Sequence, residues 1–471
     1  MKFDLKNYKT KYFGTDGFRG EVNVNLTSLN AYKVGRFLGW YYNSQLYGNN
    51  SLNYRPKIVV GKDTRRSSYM LEYSLVAGIT ASGADAYLLH VTTTPSVSFI
   101  TKQDDFDAGI MITASHNPYY DNGIKILNRN GEKLDDLTTF YIEQYLDGNL
   151  DILGVTGEDL PLATKDKIGY IVDYVAGRNR YLGYLISLAS NSYKNLRIGL
   201  DCANGASWKL AKSVFMALGA QTFVIGAEPS GLNVNDKCGS THIENLVNLV
   251  KEKQLDLGFA FDGDADRCIA VDENGNVVDG DKILYILARR LKRLNNLNEN
   301  TIVTTIMSNS GLEKSLKTLN VKCVQTSVGD RFVYEEIKRS GYSLGGEQSG
   351  HVIIKKYATT GDGILTAVMI AEEVCAQKCS LSKLASEVIL YPQYTKSVRV
   401  KSKSQTASDM EIKKLIQNIS DKLIGNGRIL FRESGTEPVI RIMVECESFN
   451  LAKEYANQVE SLIKERGYIN E

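Results

Sequence analysis

Several features that would assign a chain to a specialised class of protein are absent from this sequence. Its 471 residues contain no apolar run of about 18 residues, so we expect no membrane-spanning helix. The opening segment MKFDLKNYKT has no apolar core, and we expect no secretory signal. Neither the Walker pattern GxxxxGK(S/T) nor the pattern GxGxxG occurs, which leaves nucleotide binding without support.

Cysteine and histidine are few and irregularly placed. The seven cysteines include no CxxC pair, and only four histidines are present, which argues against a zinc site. Cys375 and Cys379 lie four positions apart in an apolar stretch with a helical pattern, and we interpret both as buried thiols. A chain of this length does not need disulfides to hold its core together. A reducing, cytoplasmic setting is therefore expected.

An excess of charge of one sign is also lacking. The 56 basic and 54 acidic residues give a net charge of +2, which makes no electrostatic case for a nucleic-acid or membrane partner. Hydrophobic residues make up 43% and charged residues 23% of the chain, as in globular proteins. The length suggests three or four domains of ordinary size.

Short apolar segments alternate with amphipathic helical patterns, which predicts an α/β fold. The predicted strands are 57–60, 86–90, 108–113, 197–200, 222–225, 257–261, 301–306 and 321–326. The predicted helices between them are 68–81, 206–218, 243–253, 282–294, 312–319 and 332–338.

Three breaks in this alternation suggest domain boundaries. They are a glycine-rich acidic stretch at 146–159, a hairpin-like turn (ENGN) within 272–280, and Tyr391-Pro392. The four predicted domains are 1–155, 156–275, 276–390 and 391–471. The last has a strand–helix–strand–strand–helix pattern and is predicted to be α+β.

Four polar loops each follow an apolar strand. They are IMITASHNP (Ile110–Pro118), FAFDGDADR (Phe259–Arg267), SLGGEQSGH (Ser343–His351) and ILFRESGTEP (Ile429–Pro438). Ligand sites in open α/β sheets gather at the carboxyl ends of strands. Four such loops therefore predict one cleft to which several domains contribute.

The acidic loop is the best candidate for a metal site. Asp262, Asp264 and Asp266 alternate, so three carboxylates can surround one hard cation such as magnesium. A solvated acidic turn is the plain alternative, and the buried character of the preceding strand argues against it. A calcium loop of the EF-hand type is rejected because Arg267 stands where that loop needs glycine.

The serine loop offers a candidate nucleophile. Ser115 precedes His116, Asn117 and Pro118, and the segment YYDNG, which we interpret as a turn, and Lys125 follow. A serine in a turn is usually a capping group, and no GxSxG elbow is present, so an acyl hydrolase is disfavoured. The neighbouring histidine and lysine and the separate acidic loop favour a catalytic role.

The remaining loops are individually weaker signals. Small residues, hydroxyls and arginines in RESGTEP, with a further arginine one strand later, suit a phosphate cradle, although a plain hairpin explains them equally well. The GGEQSGH loop offers groups that can grip sugar hydroxyls, against the alternative of a glycine-rich bulge. GTDGFRG near the N-terminus permits close backbone approach to a ligand, and GKDTR (Gly61–Arg65) could add positive charge to the cleft.

Taken together and in this order, the four loops and FGTDGFRG resemble the α-D-phosphohexomutase superfamily over essentially the whole chain. Within it, KYFGTDGFRG, ASHNPYYDNGIK, SGLNVNDKCGSTH and RESGTEPVIRIMVE are most similar to the bacterial phosphoglucosamine mutase branch. One departure is Ser327, where the family commonly has lysine, so a basic contact to substrate is in doubt.

The resemblance implies four domains around a central cleft, three of them related α/β domains with mixed sheets and the last an α+β lid. It implies a phosphohexomutase, an intramolecular phosphotransferase of the isomerase class, with one Mg²⁺ ion and a sugar 1,6-bisphosphate as activator. The residue roles that it implies are catalysis by Ser115, Lys125, His116, Arg19 and Arg267; metal binding by Ser115, Asp262, Asp264 and Asp266; substrate binding by Glu347, Ser349 and His351; and phosphate binding by Arg432, Ser434, Gly435, Thr436 and Arg441.

The expected reaction interconverts glucosamine 6-phosphate and glucosamine 1-phosphate through phosphorylated Ser115. Alternatives are a phosphoglucomutase/phosphomannomutase, a magnesium-dependent sugar phosphatase, or a sugar-phosphate binding protein with a decayed site. The expected partner is a small-molecule sugar phosphate, with no nucleic acid and no membrane, and a homodimer is the assembly left open.

Overall fold

The computed structural model describes Tyr8 and residues 10–14, 16–46, 54–434 and 438–469. The chain divides into two compact units. The first comprises Met1–Met307 and Cys323–Ala385, and the second comprises Ser308–Lys322 and Ser386–Glu471.

The first unit opens with a mixed seven-stranded sheet. Its strands are β1 (Phe13–Gly14), β2 (Gly17–Glu21), β3 (Lys57–Lys62), β4 (Asp85–Val91), β5 (Ala108–Ile112), β6 (Asp121–Asn128) and β7 (Ile171–Asp173), in the order β1-β2-β6-β5-β3-β4-β7. Strands β5, β3, β4 and β7 run parallel, whereas β1, β2 and β6 pair antiparallel. The helices are α1 (Ser28–Tyr41), α2 (Arg66–Ala81), α3 (Thr94–Gln103), α4 (Asp136–Leu146) and α5 (Val175–Ser187), with short helical turns at Tyr42–Leu46, Leu150–Leu153 and Lys165–Lys167.

Helices cover both faces of this sheet, which explains why its central strands are apolar throughout. Ile58 and Ile110 belong to the larger core cluster together with residues of α1 and α2. Val59 and Met111, which point the other way, belong to a second cluster with α3. Helices α1 and α2 pack at backbone contact, because a Cβ at Gly35 would lie only 2.1 Å from the carbonyl oxygen of Leu75.

The second sheet has five strands and the third has four. The second contains β8 (Arg197–Asp201), β9 (Gln221–Ile225), β10 (Leu257–Phe261), β11 (Cys268–Asp272) and β12 (Val277–Val278), in the order β12-β11-β10-β8-β9, with α6 (Ser207–Ala217) and α7 (Glu244–Lys253). The third contains β13 (Thr301–Thr305), β14 (Lys322–Thr326), β15 (Leu344–Gly346) and β16 (Val352–Ile354), in the order β14-β13-β15-β16. The helices along this stretch are α8 (Gly280–Arg293), α9 (Ser310–Thr318, part of the second unit), α10 (Asp330–Ser340), α11 (Gly363–Gln377) and α12 (Leu381–Ala385), with a 3₁₀ turn at Asn298–Asn300.

The second unit contains an antiparallel three-stranded sheet. Its strands are β17 (Gln393–Arg399), β18 (Gly427–Glu433) and β19 (Val439–Cys446), in the order β17-β19-β18, and its further helices are α13 (Lys403–Ser408), α14 (Met410–Leu423) and α15 (Phe449–Glu465). Ile412 and Ile419 of α14 pack with Val459 of α15 and with Ile440 and Ile442 of β19 in one buried cluster. The α+β pattern predicted for the end of the chain is confirmed.

The predicted α/β class is confirmed, and the predicted strands and helices are all present within about two residues of their expected ends. The 272–280 turn is a hairpin, because Ala270 pairs with Val278 and Val271 with Val277. Within the part of the chain that the structure describes, every helix is too short or too polar to cross a membrane. The four domain boundaries remain a prediction.

Two local predictions were wrong. Asp121, Asn122 and Gly123, expected in a turn, already belong to β6, because their backbones pair with β2 across the sheet. Cys375 and Cys379 are only half-buried instead of buried. Cys379 also lies beyond the end of α11, since Lys378 adopts the left-handed conformation that terminates this helix.

Candidate active site

Three of the four polar loops face a common cleft in the first unit. They follow β5, β10 and β15. Two adjoining cavities of about 500 and 580 Å³ share the residues Asp16, Asp266, Asp330 and His351 in their walls. The second cavity is also lined by Arg19, His116, Arg267 and Glu347. Predicted residues from loops of all three sheets of the first unit therefore line this cleft.

Ser115 lies buried beside the acidic loop. Its Oγ donates a hydrogen bond of 2.6 Å to Oδ2 of Asp262, and it lies 3.2 Å from Nδ1 of His116. Its backbone has a φ of +53°, a left-handed conformation that a side chain other than glycine adopts only at some cost. The N–H of Ser115 donates to Oγ1 of Thr113 at 2.9 Å, which helps to fix this conformation.

The basic residues of the GKDTR segment are neutralised. Nζ of Lys62 forms a buried ion pair with Glu72. Nε of Arg65 donates to Oδ2 of Asp63 at 2.9 Å, and its remaining nitrogens donate to backbone carbonyls of the serine loop, including that of Pro118 at 2.6 Å. Because these cations already have buried partners, the expectation that the segment adds positive charge to the cleft was wrong.

The three aspartates of the acidic loop form a cluster that could hold a metal ion. One carboxylate oxygen from each of Asp262, Asp264 and Asp266 lies within 4.8 Å of the others, and all three side chains are buried. Burial and the charges of Asp266 and Asp264 raise the pKa of Asp262 well above its usual range. Among the described residues, Oδ1 of Asp264 is buried without a hydrogen-bond partner. A hard divalent cation would satisfy this oxygen and offset the repulsion.

Lys125 extends from β6 into the acidic cluster. Its Nζ lies 2.8 Å from Asp264, 3.1 Å from Asp266 and 3.0 Å from Asp16. Burial works against its charge, but the carboxylates of Asp16, Asp264 and Asp266 outweigh burial and raise the pKa of Lys125 well above its usual value. A lysine base would need the opposite shift, so this geometry favours the charged form of Lys125.

Two arginines at the cleft present unused donors. Arg19 on β2 pairs with Asp16, and Arg267 follows the acidic loop. The Nε atoms of both arginines are buried and have no hydrogen-bond partner within the described ranges. Nε of Arg267 also lies 3.9 Å from Oδ1 of Asp266. Both arginines line the second cavity, and guanidinium groups there suit an anion such as a phosphoryl group.

The two predicted histidines have different surroundings. Burial, with the charges of Arg267 and Arg19, lowers the pKa of His116 to about 4, so its ring is neutral at pH 7. Burial works against the charge of His351, but the carboxylates of Asp266, Asp330 and Glu347 outweigh it and raise the pKa of His351 to about 9; its Nδ1 lies 3.6 Å from Asp266.

The GGEQSGH loop, which was predicted to bind sugar hydroxyls, forms the hairpin between β15 and β16. Oε1 of Glu347 accepts the N–H of Gly329 at 3.1 Å and lies at the wall of the second cavity, whereas Ser349 is exposed. Ser327, the departure from the family pattern, is also exposed.

Three charged residues of the cleft are not among the predicted site residues. Nζ of Lys133 bridges Asp16 at 2.7 Å and Asp330 at 2.6 Å. Asp16 lies inside the motif GTDGFRG, and Asp330 follows Ser327 by three positions, which could have drawn attention to them. Lys133 follows no motif, so the sequence offered no signal for it.

The predicted phosphate loop lies in the second unit. Arg432 and Arg441 are directly opposite each other on β18 and β19, and burial together with the charge of Arg441 lowers the pKa of Arg432. Like charges opposite each other are unfavourable in a sheet unless an anion lies between them. Ser434 is buried, and its carbonyl accepts from Nζ of Lys403 at 2.6 Å. Gly435 and Thr436 lie outside the described residues.

Comparisons with known proteins agree over nearly the whole chain. Four family models match in order: the alpha/beta/alpha domains I, II and III of phosphoglucomutase/phosphomannomutase at residues 10–151, 179–275 and 279–391, and the C-terminal domain of the same family at 396–462. The phosphoglucosamine mutase of Lachnospira eligens is 56% identical over 97% of this chain and 99% of its own. That of Bacillus subtilis is 45% identical over 96% and 98%.

Solved structures share the fold at lower identity. A phosphoglucomutase/phosphomannomutase family protein from Burkholderia thailandensis superposes with a TM-score of 0.78 at 22% identity, covering 96% of this chain and 97% of its own. The N-acetylphosphoglucosamine mutase of Aspergillus fumigatus, in complex with GlcNAc-6P and magnesium, gives 0.67 at 16% identity and covers 98% of both chains.

Proposed function

Because this chain belongs to the phosphoglucomutase/phosphomannomutase family, we propose that it is a phosphoglucosamine mutase. It interconverts glucosamine 6-phosphate and glucosamine 1-phosphate through phosphorylated Ser115 and a 1,6-bisphosphate intermediate. Full-length relatives of that name at 45–56% identity support the substrate. The observation that carries the mechanism is the hydroxyl of Ser115, 2.6 Å from a carboxylate of the three-aspartate cluster.

The acidic cluster would hold one Mg²⁺ ion. Its ligands would be Asp262, Asp264, Asp266 and the phosphate on Ser115, which are the oxygen donors that this ion prefers. When bound, the ion neutralises charge on the transferring phosphoryl group. Lys125 adds a further positive charge from β6, and Arg19 and Arg267 supply donors for the equatorial oxygens.

In the first transfer, a hydroxyl oxygen of the sugar phosphate attacks the phosphorus on Ser115. A new P–O bond forms to the sugar while the bond from phosphorus to Oγ of Ser115 breaks. The proton lost by the attacking hydroxyl is balanced by one gained at the released Oγ of Ser115, and His116, whose Nδ1 lies 3.2 Å from Oγ, is the candidate for proton transfer at that oxygen. The second transfer reverses these steps with the other phosphate, so that Ser115 is phosphorylated again.

The sugar must be held and then turned between the two transfers. Glu347, Ser349 and His351 are proposed to bind ring hydroxyls, and the side chain of Ser349 is accessible for this purpose. The phosphate that is not reacting is proposed to bind the second unit. The residues proposed for it are Arg432, Ser434, Gly435, Thr436 and Arg441.

Replacement of the nucleophile tests this proposal. Ser115→Ala should abolish interconversion of glucosamine phosphates with magnesium and a trace of the 1,6-bisphosphate, whereas Ser187→Ala, an exposed serine on α5, should leave the rate unchanged. Near-normal turnover of Ser115→Ala would refute the phosphoserine mechanism. Release of inorganic phosphate without isomerisation by the unaltered enzyme would favour a phosphatase.

Replacement of Arg432 tests the phosphate site. Arg432→Ala should raise KM for the sugar phosphate by at least about tenfold, because a charged hydrogen bond to phosphate is lost. Lys422→Ala removes an exposed cation from α14 in the same unit and should leave KM unchanged. An unaltered KM in Arg432→Ala would assign phosphate binding to other residues.

A further inference from the structure

We propose that Asn235 is a positioning residue for phosphoryl transfer, which holds the backbone of Ser115 in the conformation that directs Oγ at the acidic cluster. The inference rests on the proposed function of Ser115. Asn235 belongs to the segment SGLNVNDKCGS, between β9 and α7, and is separated from Ser115 by 120 positions in the chain.

The side-chain amide of Asn235 contacts the serine loop directly. Its Nδ2 donates to the carbonyl oxygen of Ser115 at 2.8 Å and to that of Asn117 at 3.1 Å. Asn235 is only 7% exposed, so these bonds are shielded from water. Its own backbone is fixed by a hydrogen bond of 2.9 Å from its N–H to the carbonyl of Ala203.

Arg65 binds the same two carbonyl oxygens. Its Nη2 lies 2.9 Å from the oxygen of Ser115 and 2.9 Å from that of Asn117. Arg65, which precedes α2, and Asn235, which precedes α7, thus both donate hydrogen bonds to the carbonyl oxygens of Ser115 and Asn117. The left-handed backbone of Ser115, which is unfavourable for a side chain other than glycine, is stabilised by these donors.

The acidic loop approaches the same carbonyl. A Cβ at Gly263 would lie 2.5 Å from the carbonyl oxygen of Ser115 and 3.1 Å from Nδ2 of Asn235. Only glycine allows this close approach, and Gly263 directly follows Asp262, which accepts the Ser115 hydroxyl. The amide of Asn235 therefore helps to set the distance between the nucleophile and the cluster of carboxylates.

A loss confined to phosphoryl transfer follows from this geometry. Asn235 is not among the residues that line either cavity of the cleft, so its replacement should leave substrate binding nearly intact. Displacement of a reacting atom by about 1 Å can reduce a rate about 100-fold. We therefore expect a fall in kcat with little change in KM. Because a loss of folded enzyme would also lower the apparent kcat, the rates are normalised to the folded fraction of each variant.

The experiment measures phosphate incorporation on Ser115. Unphosphorylated enzyme is mixed with excess glucosamine 1,6-bisphosphate and magnesium, and intact mass is followed with time. Asn235→Leu removes both donors at similar size, and Asn235→Asp places a carboxylate against two carbonyl oxygens. Each should slow incorporation and kcat about 10- to 100-fold, with KM within about threefold of the unaltered value. Asn233→Ala is the matched control, because that side chain accepts the N–H of Ser230 and donates to the carbonyl of Glu228, with no hydrogen bond to the serine loop among the described residues.

Each outcome has a definite meaning. If folded Asn235→Leu and Asn235→Asp incorporate phosphate as fast as the unaltered enzyme, the positioning role is overturned. A rise in KM at constant kcat also overturns it, because Asn235 would then act on substrate binding. If the unaltered enzyme itself takes up no phosphate on Ser115, the proposed function fails instead.

Discussion

Glu143 provides a sensitive test of how the N-terminal edge of the cleft is built. This residue of α4 is completely buried, and its carboxylate accepts three successive backbone N–H groups, those of Lys11, Tyr12 and Phe13, at 2.7–3.0 Å. The hydroxyl of Tyr8 donates to it as well. Successive N–H groups form an anion-binding concavity, and here a side chain of the same chain fills it.

Glu143→Gln is expected to weaken the hydrogen bonds that hold residues 11–13. A hydrogen bond to a charged group contributes about 1.5–3 kcal/mol, and a neutral one contributes about 1 kcal/mol. Over three N–H donors, the loss of charge should weaken local protection by about 1.5–6 kcal/mol in total. Because about 1.4 kcal/mol is a factor of ten, the amides of residues 11–13 should exchange at least about tenfold faster.

Hydrogen–deuterium exchange measured by mass spectrometry, with peptides that cover residues 8–20, checks this expectation. The control is Glu158→Gln in an exposed loop, which should leave exchange in these peptides unchanged. Protection of residues 11–13 within about threefold of the unaltered enzyme would refute the reasoning, because about threefold corresponds to less than 1 kcal/mol. The carboxylate would then not be what holds this segment.

Two further predictions concern the interior of the first unit. Burial raises the pKa of Asp362 to about 6, so the stability contributed by the protonated side chain is present below about pH 4 and is lost as pH rises through 6. Asp362→Asn should therefore gain about 2–3 kcal/mol of unfolding free energy relative to the unaltered chain between pH 4 and 7. A difference in melting temperature that does not change with pH would contradict this prediction. Gly263→Ala should lower kcat at least about 100-fold, because its Cβ would press on the Ser115 carbonyl. Gly183→Ala is the control, since an added Cβ there meets nothing within 4 Å. Equal rates in both variants would contradict the close packing of the acidic loop against the serine loop.

The alternation of elements could be predicted because buried strands leave a strong local pattern. Leu257–Phe261 is apolar at every position and is bounded by polar turns, and the structure has the same bounds. Strand β6 could not be predicted, because Asp121, Asn122 and Gly123 have turn propensity. Pairing with β2 and β5 overrides this local preference.

The candidate site likewise has features that the sequence predicts and features that depend on residues far away in the chain. Loops that follow strands could be predicted to converge, because strand ends at the same edge of a sheet lie together. The charge state of Lys125 could not, because its pKa depends on carboxylates from Asp16 and from the acidic loop, which are far away in the chain. The roles of Arg65 and Asn235 also depend on hydrogen bonds across 50 and 120 positions, which no local motif reveals.

The most direct test of the central claim is kcat/KM for glucosamine 1-phosphate against glucose 1-phosphate, with magnesium and a trace of the corresponding 1,6-bisphosphate. A clear preference for glucosamine 1-phosphate, with conversion to the 6-phosphate and no net release of phosphate, is the predicted result. A preference for glucose 1-phosphate would contradict the assignment as a phosphoglucosamine mutase while leaving the phosphoserine mechanism in place.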